Sequence, residues 1–297
     1  MLVEKIQRLK KERRAILLAH NYQPAEIQSI ADFNGDSLEL ARKSAELDAD
    51  IVIFCGVHFM AETAAILNPN KKILIPDATA GCPMADMVTA ETLRAEKLKH
   101  PGAKVVCYVN STAEVKAESD ICCTSANAAA VVRSLGDAPV LFVPDKNLGQ
   151  WVGEQLGREL ILWPGYCPIH ECIRADDVRA ARAAHPNAEV LVHPECPKDV
   201  RELATHCLST GQMCRHAQTS GAKEFVIVTE AGIFHRLQFE NPGKKFWPAG
   251  KGSWCADMKK CTLENILRCL ETLSPEVRVE PGIASRAKRA IDAMLAV

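Results

Sequence analysis

The chain has 297 residues, 47% hydrophobic and 25% charged, with a formal net charge of −1. Such a composition belongs to a globular chain long enough for two or three small cores, and it excludes disorder. The near-zero charge removes the basic surplus that nucleic-acid and anionic-membrane binding usually need, so neither partner is expected.

Residues 1–14 predict a leading helix, with Val3, Ile6 and Leu9 on one face. A strand over 15–19 ends in His20-Asn-Tyr22. It is followed by a helix carrying Ile27, Ile30 and Ala31, a turn at Asn34-Gly35-Asp36, and a helix through Leu47 with Ser37 at its N-cap. A strand over 51–54, a helix carrying Met60, Ala64 and Leu67, and a strand over 73–75 complete this stretch. The order then recurs: strand 104–109 with Tyr108-Val-Asn110, helices from Thr112 and from Ser125 to Leu135, strand 140–143, helix 148–156 and strand 160–163. A third round has strand 189–192 before His193-Pro-Glu195, helices from Lys198 and Thr210, strand 225–228, an extended segment from Phe234 to Phe239, and strand 245–247. The tail from Ser274 carries a helix with Ile283, Ala287, Ile291 and Leu295, expected to pack on the first repeat or on another subunit.

The three rounds align in more than element order. Ser37, Ser125 and Thr210 each stand 17 residues beyond His20, Tyr108 and His193, and Ala25, Ala113 and Lys198 open a helix at a shared offset. Cys82, Cys167 and Cys255 follow the same three origins at 62, 59 and 62 residues, each after an apolar run closed by Pro or Gly. The strands are continuously apolar, as strands buried on both faces of a parallel sheet are. The fold expected is α/β: three pseudo-threefold-related domains, each a small parallel sheet flanked by helices, with the active site at their common interface. The repeats are placed at 1–102, 103–187 and 188–273, with the helical tail at 274–297.

The amphipathic start, Met1 to Lys10, lacks the apolar segment of a signal peptide, and no apolar run approaches the ~20 residues of a spanning helix. A cytoplasmic location is the expectation. In that reducing compartment the 13 cysteines are not a disulfide framework. Cys55, Cys107, Cys207 and Cys269 lie in apolar or helical surroundings and read as packing. Cys82, Cys167 and Cys255, converging from three domains, lack the closely paired partner of structural zinc sites. A [4Fe-4S] cube on three thiolates, with one open iron acting as a Lewis acid, suits them better. Ser37, Ser125 and Thr210 at helix N-termini would bind carboxylate or phosphate, although any one of them alone reads as a cap. His20, Tyr22, Tyr108, Asn110, His193 and Glu195 at strand ends offer groups for proton transfer and binding. His170, three residues past Cys167, could support either cluster or substrate; His58, His100, His185, His206, His216 and His235 read as structural or surface residues. A zinc-dependent hydrolase or lyase and a noncatalytic iron-sulfur sensor are the competing classes at this point.

The motifs His20-Asn-Tyr-Gln23, Gly35-Asp-Ser37, Gly81-Cys-Pro-Met-Ala-Asp-Met87, Tyr108-Val-Asn-Ser111, Cys123-Thr-Ser-Ala-Asn127, Pro144-Asp-Lys-Asn-Leu-Gly149, Pro164-Gly-Tyr-Cys167, His193-Pro-Glu-Cys196 and Ser209-Thr-Gly211 closely resemble the quinolinate synthase family, over residues 15 to 270. The resemblance implies condensation of iminoaspartate with dihydroxyacetone phosphate to quinolinate, with loss of phosphate and two waters, in NAD biosynthesis. It implies cluster ligation by Cys82, Cys167 and Cys255. It also implies substrate binding by His20, Ser37, Tyr108, Asn110, Ser125, His193, Glu195 and Thr210, with Tyr22, Tyr108, His193 and Glu195 as the catalytic group. An L-aspartate oxidase or dehydrogenase supplying iminoaspartate is the implied functional partner.

Overall fold

The computed structural model describes all 297 residues. The first unit runs α1 (Leu2–Glu12), β1 (Ala15–His20), α2 (Ala25–Ile30), β2 (Phe33–Gly35), α3 (Ser37–Glu46), β3 (Ile51–Cys55), α4 (His58–Leu67), β4 (Lys72–Leu74) and α5 (Ala90–Lys99). The second runs β5 (Lys104–Tyr108), α6 (Ala113–Ala117), β6 (Ile121–Cys123), α7 (Ala128–Ser134), β7 (Val140–Val143), α8 (Lys146–Leu156), β8 (Ile161–Leu162), α9 (Pro168–Glu171) and α10 (Ala175–Ala184). The third runs β9 (Glu189–Val192), α11 (Lys198–Arg201), β10 (His206–Cys207), α12 (Thr210–Thr219), β11 (Glu224–Val228), α13 (Ile233–Glu240) and β12 (Lys245–Pro248), before α14 (Leu263–Thr272) and α15 (Pro281–Leu295).

These strands form three separate four-stranded parallel sheets with one order: β2-β1-β3-β4, β6-β5-β7-β8 and β10-β9-β11-β12. The fold class is thus α/β, with three repeated parallel sheets flanked by helices. The central strands are apolar throughout because both faces are covered: all five residues of β3 and all four of β7 are buried. The second strand of each sheet, with two or three residues, is too short to display a period and was not expected from sequence. The segment 234–239, expected to be extended, is instead helix α13. Parallel pairing of β11 with β12 demands a crossover, and Ile233 and Leu237, four apart, bury one helical face beneath it.

Two helices near the C-terminus join units. The face of α14 that carries Ile266, Cys269 and Leu270 packs with Ile6 of α1 and with Leu17 and Ile53 of the first sheet. The tail helix α15 lies chiefly on α6 and β6 of the second unit and reaches α4, rather than covering the first unit alone. Small residues on both sides, Ala287 and Ala290 against Ala113 and Ala117, permit that close approach.

Polar contacts fix the three units around a common centre. Ser209 Oγ donates to Asp36 Oδ2 at 3.2 Å and Arg215 pairs with Glu39 at 2.6 Å, joining the first and third units. Ala113 N–H donates to Glu62 Oε2 at 3.1 Å, joining the second and first. Asn147 Nδ2 donates to the Glu195 carbonyl at 3.0 Å and Arg201 pairs with Glu154 at 2.6 Å, joining the second and third. No helix is long and apolar enough to cross a membrane.

Candidate active site

In each sheet the first strand lies between the second and third, so its carboxyl end is the point where the strand order turns back, the usual crevice of open α/β sheets. The three crevices share one cavity of about 220 Å³. His20 ends β1, Tyr108 ends β5 and His193 follows β9. Around the cavity stand His20, Tyr22, Ser37, Cys82, Tyr108, Asn110, Ser125, Cys167, His193, Glu195, Thr210 and Cys255, all twelve positions singled out in the sequence, together with His170.

None of the three hydroxyls caps its helix, although Ser37 was expected at the N-cap of the first. Asp36 caps α3, accepting from Leu38 N–H at 3.0 Å and Glu39 N–H at 2.9 Å, while Glu39 returns the bond in a capping box. Ser209 caps α12 in the same way with Gln212, and Thr124 Oγ1 accepts from Ala126 N–H at 3.2 Å ahead of α7. In α3 and α12 the cap is the preceding residue, whereas α7 begins only after Asn127, which makes no side-chain cap bond; Ser37, Ser125 and Thr210 are left to line the cavity. Gly211 is needed where α3 and α12 meet end to end, because a Cβ there would lie 2.5 Å from Asp36 Oδ2. Asn110 adds a buried Oδ1 with no partner in the protein, a group that a ligand can satisfy.

Each cavity cysteine sits just before a short helical turn. Cys82 receives backbone hydrogen bonds from Ala85 and Met84, Cys167 from His170, and Cys255 from Met258 and Asp257. Burial pushes the thiols up, Cys82 to about 12 and Cys167 well above its ordinary value, and each also feels charge from a sister cysteine. Backbone N–H groups aimed at sulfur favour the thiolate and are poorly used by a neutral thiol. The donor set therefore fits a metal or cluster that takes all three sulfurs as thiolates. Cys167, His170 and Glu195 bring a further thiol, imidazole and carboxylate within 4.8 Å of one another, a set itself compatible with metal binding.

A chain of hydrogen bonds crosses the cavity wall. Tyr108 Oη donates to Glu195 Oε1 at 2.6 Å, His170 Nδ1 lies 2.7 Å from Glu195 Oε2, His170 Nε2 lies 2.8 Å from Thr229 Oγ1, and Thr229 Oγ1 lies 2.5 Å from Tyr22 Oη. Burial alone would push the Glu195 carboxyl up, but His170 and His193 beside it and the bonds from His170 and Tyr108 hold it at about 2. Burial, and then the Glu195 charge, keep both phenols protonated, well above the usual tyrosine value. Burial depresses His20 to about 3, assisted by Lys259, and His193 to about 3, so both imidazoles are neutral. Nδ1 of each accepts a backbone N–H, from Tyr22 at 3.1 Å and Glu195 at 3.3 Å, which leaves Nε2–H of each as a donor.

His170, open in the sequence reading, is thus the junction of this chain. Sequence reasoning missed Thr229, Glu230 and Lys259. Thr229 occupies the repeat column of Gly56 and Pro144, so a search for equivalent residues passes over it; its only signal is a polar pair closing the apolar run of β11. Glu230 and Lys259 form a buried ion pair at 2.8 Å. Glu230 also accepts from Cys255 N–H at 3.0 Å, and Lys259 donates to the Tyr22 carbonyl, so the pair ties the third cysteine to the first unit. Gly232 permits the same approach: a Cβ there would meet the Tyr22 carbonyl oxygen at 2.5 Å.

The sequence is similar to those of known proteins along its whole length. The profile of the quinolinate synthetase A protein family matches residues 4–296. A quinolinate synthase of Methanoregula boonei is 55% identical over 297 residues, covering 100% of this chain and 98% of that one. One from Dehalococcoides mccartyi is 54% identical over the same span, and one from Geobacter metallireducens is 53% identical over 294 residues, 99% of this chain and 97% of its own. With three identical sheet orders, a shared cavity and similarity over the full length, the chain belongs to the quinolinate synthetase A family.

Proposed function

We propose that this protein is a quinolinate synthase of NAD biosynthesis, condensing iminoaspartate with dihydroxyacetone phosphate to quinolinate with loss of phosphate and two waters. The observation that carries the reading is the trio of cavity thiols from three units, each with backbone N–H groups aimed at sulfur, in a chain similar to quinolinate synthases from end to end. Cys82, Cys167 and Cys255 would hold a [4Fe-4S] cluster. When bound through three thiolates, such a cluster supplies one iron without a protein ligand, a Lewis acid toward a substrate oxygen.

The remaining work falls to side chains. Ser37 and Thr210, on the first residues of α3 and α12, present hydroxyls beside the positive ends of two helices, a setting for the carboxylates of a dicarboxylate substrate. Ser125, Asn110 and the Nε2–H groups of His20 and His193 complete the polar wall. With Glu195 ionised, the His170 tautomer that carries its hydrogen on Nδ1 donates to that carboxylate and accepts at Nε2 from Thr229, which accepts in turn from Tyr22. When Tyr22 Oη takes a proton from the substrate, its own proton passes to Thr229 and the threonine proton to His170 Nε2. The imidazolium so formed faces Glu195 at 2.7 Å, which stabilises it. Reversal of the same shifts lets Tyr22 return a proton to a departing hydroxyl. Tyr108, hydrogen-bonded to Glu195, holds the carboxylate in register.

Iminoaspartate would come from an L-aspartate oxidase or dehydrogenase. The test is anaerobic purification with iron, sulfide and zinc analysis, Mössbauer spectra with and without quinolinate, and an assay of quinolinate formation from both substrates. One ligand-perturbed iron in a four-iron cluster, with quinolinate produced, is the result expected. Zinc without iron and sulfide, or an intact cluster with no quinolinate formed, overturns the reading.

A further inference from the structure

At the end of the third sheet opposite the cavity, two histidines that the sequence reading left as structural or surface residues meet a glutamate. Glu189 is the first residue of β9, His206 the first of β10, and His216 lies near the end of α12. Their donor atoms all lie within 4.8 Å of one another. His216 Nε2 is 2.6 Å from Glu189 Oε2, and the two imidazole rings are 4.4 Å apart, tilted by 53°. We propose that Glu189, His206 and His216 form a divalent transition-metal site of the zinc class, separate from the three cavity cysteines.

The donor chemistry suits zinc: two imidazoles and a carboxylate, with water at the fourth position. Bonds of about 2.0–2.1 Å in a tetrahedral site put neighbouring donors about 3.3 Å apart, a modest rearrangement from the geometry present. The ion would sit between His216 Nε2 and the Glu189 carboxylate, in place of their direct contact. Exposed His206 has room to swing inward. The surroundings already orient the other two ligands. Ser220 Oγ donates to the Glu189 carboxylate at 3.3 Å, and the edge of buried Phe225 meets the His216 ring with centroids 6.2 Å apart. Lys244, whose ammonium lies 5.5 Å over Phe225, is committed to the carbonyls of Ala217 and Ser220.

The site has a consequence for the cavity. His206 and His216 bracket the segment that turns from β10 into α12, and Thr210, the first residue of that helix, lines the cavity. An ion bound at both histidines and anchored on β9 through Glu189 clamps this segment at its two ends, stiffening the support of Thr210.

Cluster-loaded protein titrated anaerobically with zinc, and separately with cobalt as a spectroscopic probe, tests the site. Wild type is expected to take up one more zinc per chain than His206→Gln. Its affinity should be at least about tenfold higher than that of His216→Gln. The cobalt complex should show ligand-field bands without thiolate charge transfer, and amide exchange over residues 206–216 should slow on zinc addition. Glu189→Gln gives the same comparison from a different strand should a histidine variant fold poorly. Equal zinc uptake and affinity in wild type and variants, or a cobalt spectrum carrying only thiolate features, overturns the proposal.

Discussion

Replacing Thr229 with valine keeps the β-branched shape and exchanges for a methyl group the Oγ1 that bridges Tyr22 and His170 at 2.5 and 2.8 Å. Both neighbours are buried, with Tyr22 9% and His170 1% exposed, so water does not freely replace the lost partner. Each buried polar group left without a partner costs about 1–3 kcal/mol, so the variant should lose at least about 2 kcal/mol of stability. The effect on turnover should be larger in proportion. The proton that Tyr22 must hand on has nowhere to go, and loss of a positioned acid–base group typically slows a reaction by about 100-fold or more. Thr229→Ser keeps the oxygen and is expected to retain turnover within about tenfold of wild type. The assay is anaerobic steady-state quinolinate formation at matched iron content, with thermal denaturation alongside. A Thr229→Val enzyme with its full complement of iron and a wild-type kcat would refute the relay, because the path from Tyr22 to His170 would then be unnecessary.

Other expectations follow from neighbouring contacts. Glu195→Gln should keep iron content while slowing turnover by about 100-fold or more, as kcat at matched iron will show; an unchanged rate would reduce Glu195 to positioning. Glu230→Gln leaves the Lys259 ammonium buried without its counter-charge and weakens the hold on Cys255 N–H. Breaking a buried pair costs about 3–5 kcal/mol, so both the melting temperature and iron retention on gel filtration should drop, and retention of both would contradict that role. Glu118 joins Arg286 of α15 to Arg94 of α5 at 2.9 Å each. Burial pushes its carboxyl up, but the bonds and charges of Arg286 and Arg94 together outweigh it and hold it below its ordinary 4.5. A depressed carboxyl stabilises fully above its unfolded value and loses that contribution as pH falls through the folded one. Glu118→Gln should therefore lower stability above about pH 4.5 and matter progressively less below it, as denaturant melts across pH will show; a difference that persists undiminished at low pH would contradict the assignment.

The sequence alone carried the repeat, because each unit must bury a parallel sheet on both faces and so writes continuous apolar runs at matching intervals, as in Ile51–Cys55 and Val140–Val143. It also carried the cavity residues, since strand ends such as His20, Tyr108 and His193 are fixed by where those runs stop. Elements held by main-chain pairing were not legible: β10 is two residues long, and α13 is a helix because the crossover from β11 to β12 requires one. Nor could spacing distinguish a cap from a cavity hydroxyl one residue later. Asp36 and Ser209 take the caps through bonds within their own helices, and the two caps are then joined across units by the bond from Ser209 Oγ to Asp36 Oδ2. The relay through Thr229 and His170, the Glu230–Lys259 clamp and the Glu189, His206 and His216 cluster join residues distant in the chain and unlike across the repeats. Periodicity records what the units share, whereas chemistry at their common axis depends on what each contributes alone, and only tertiary packing decides that.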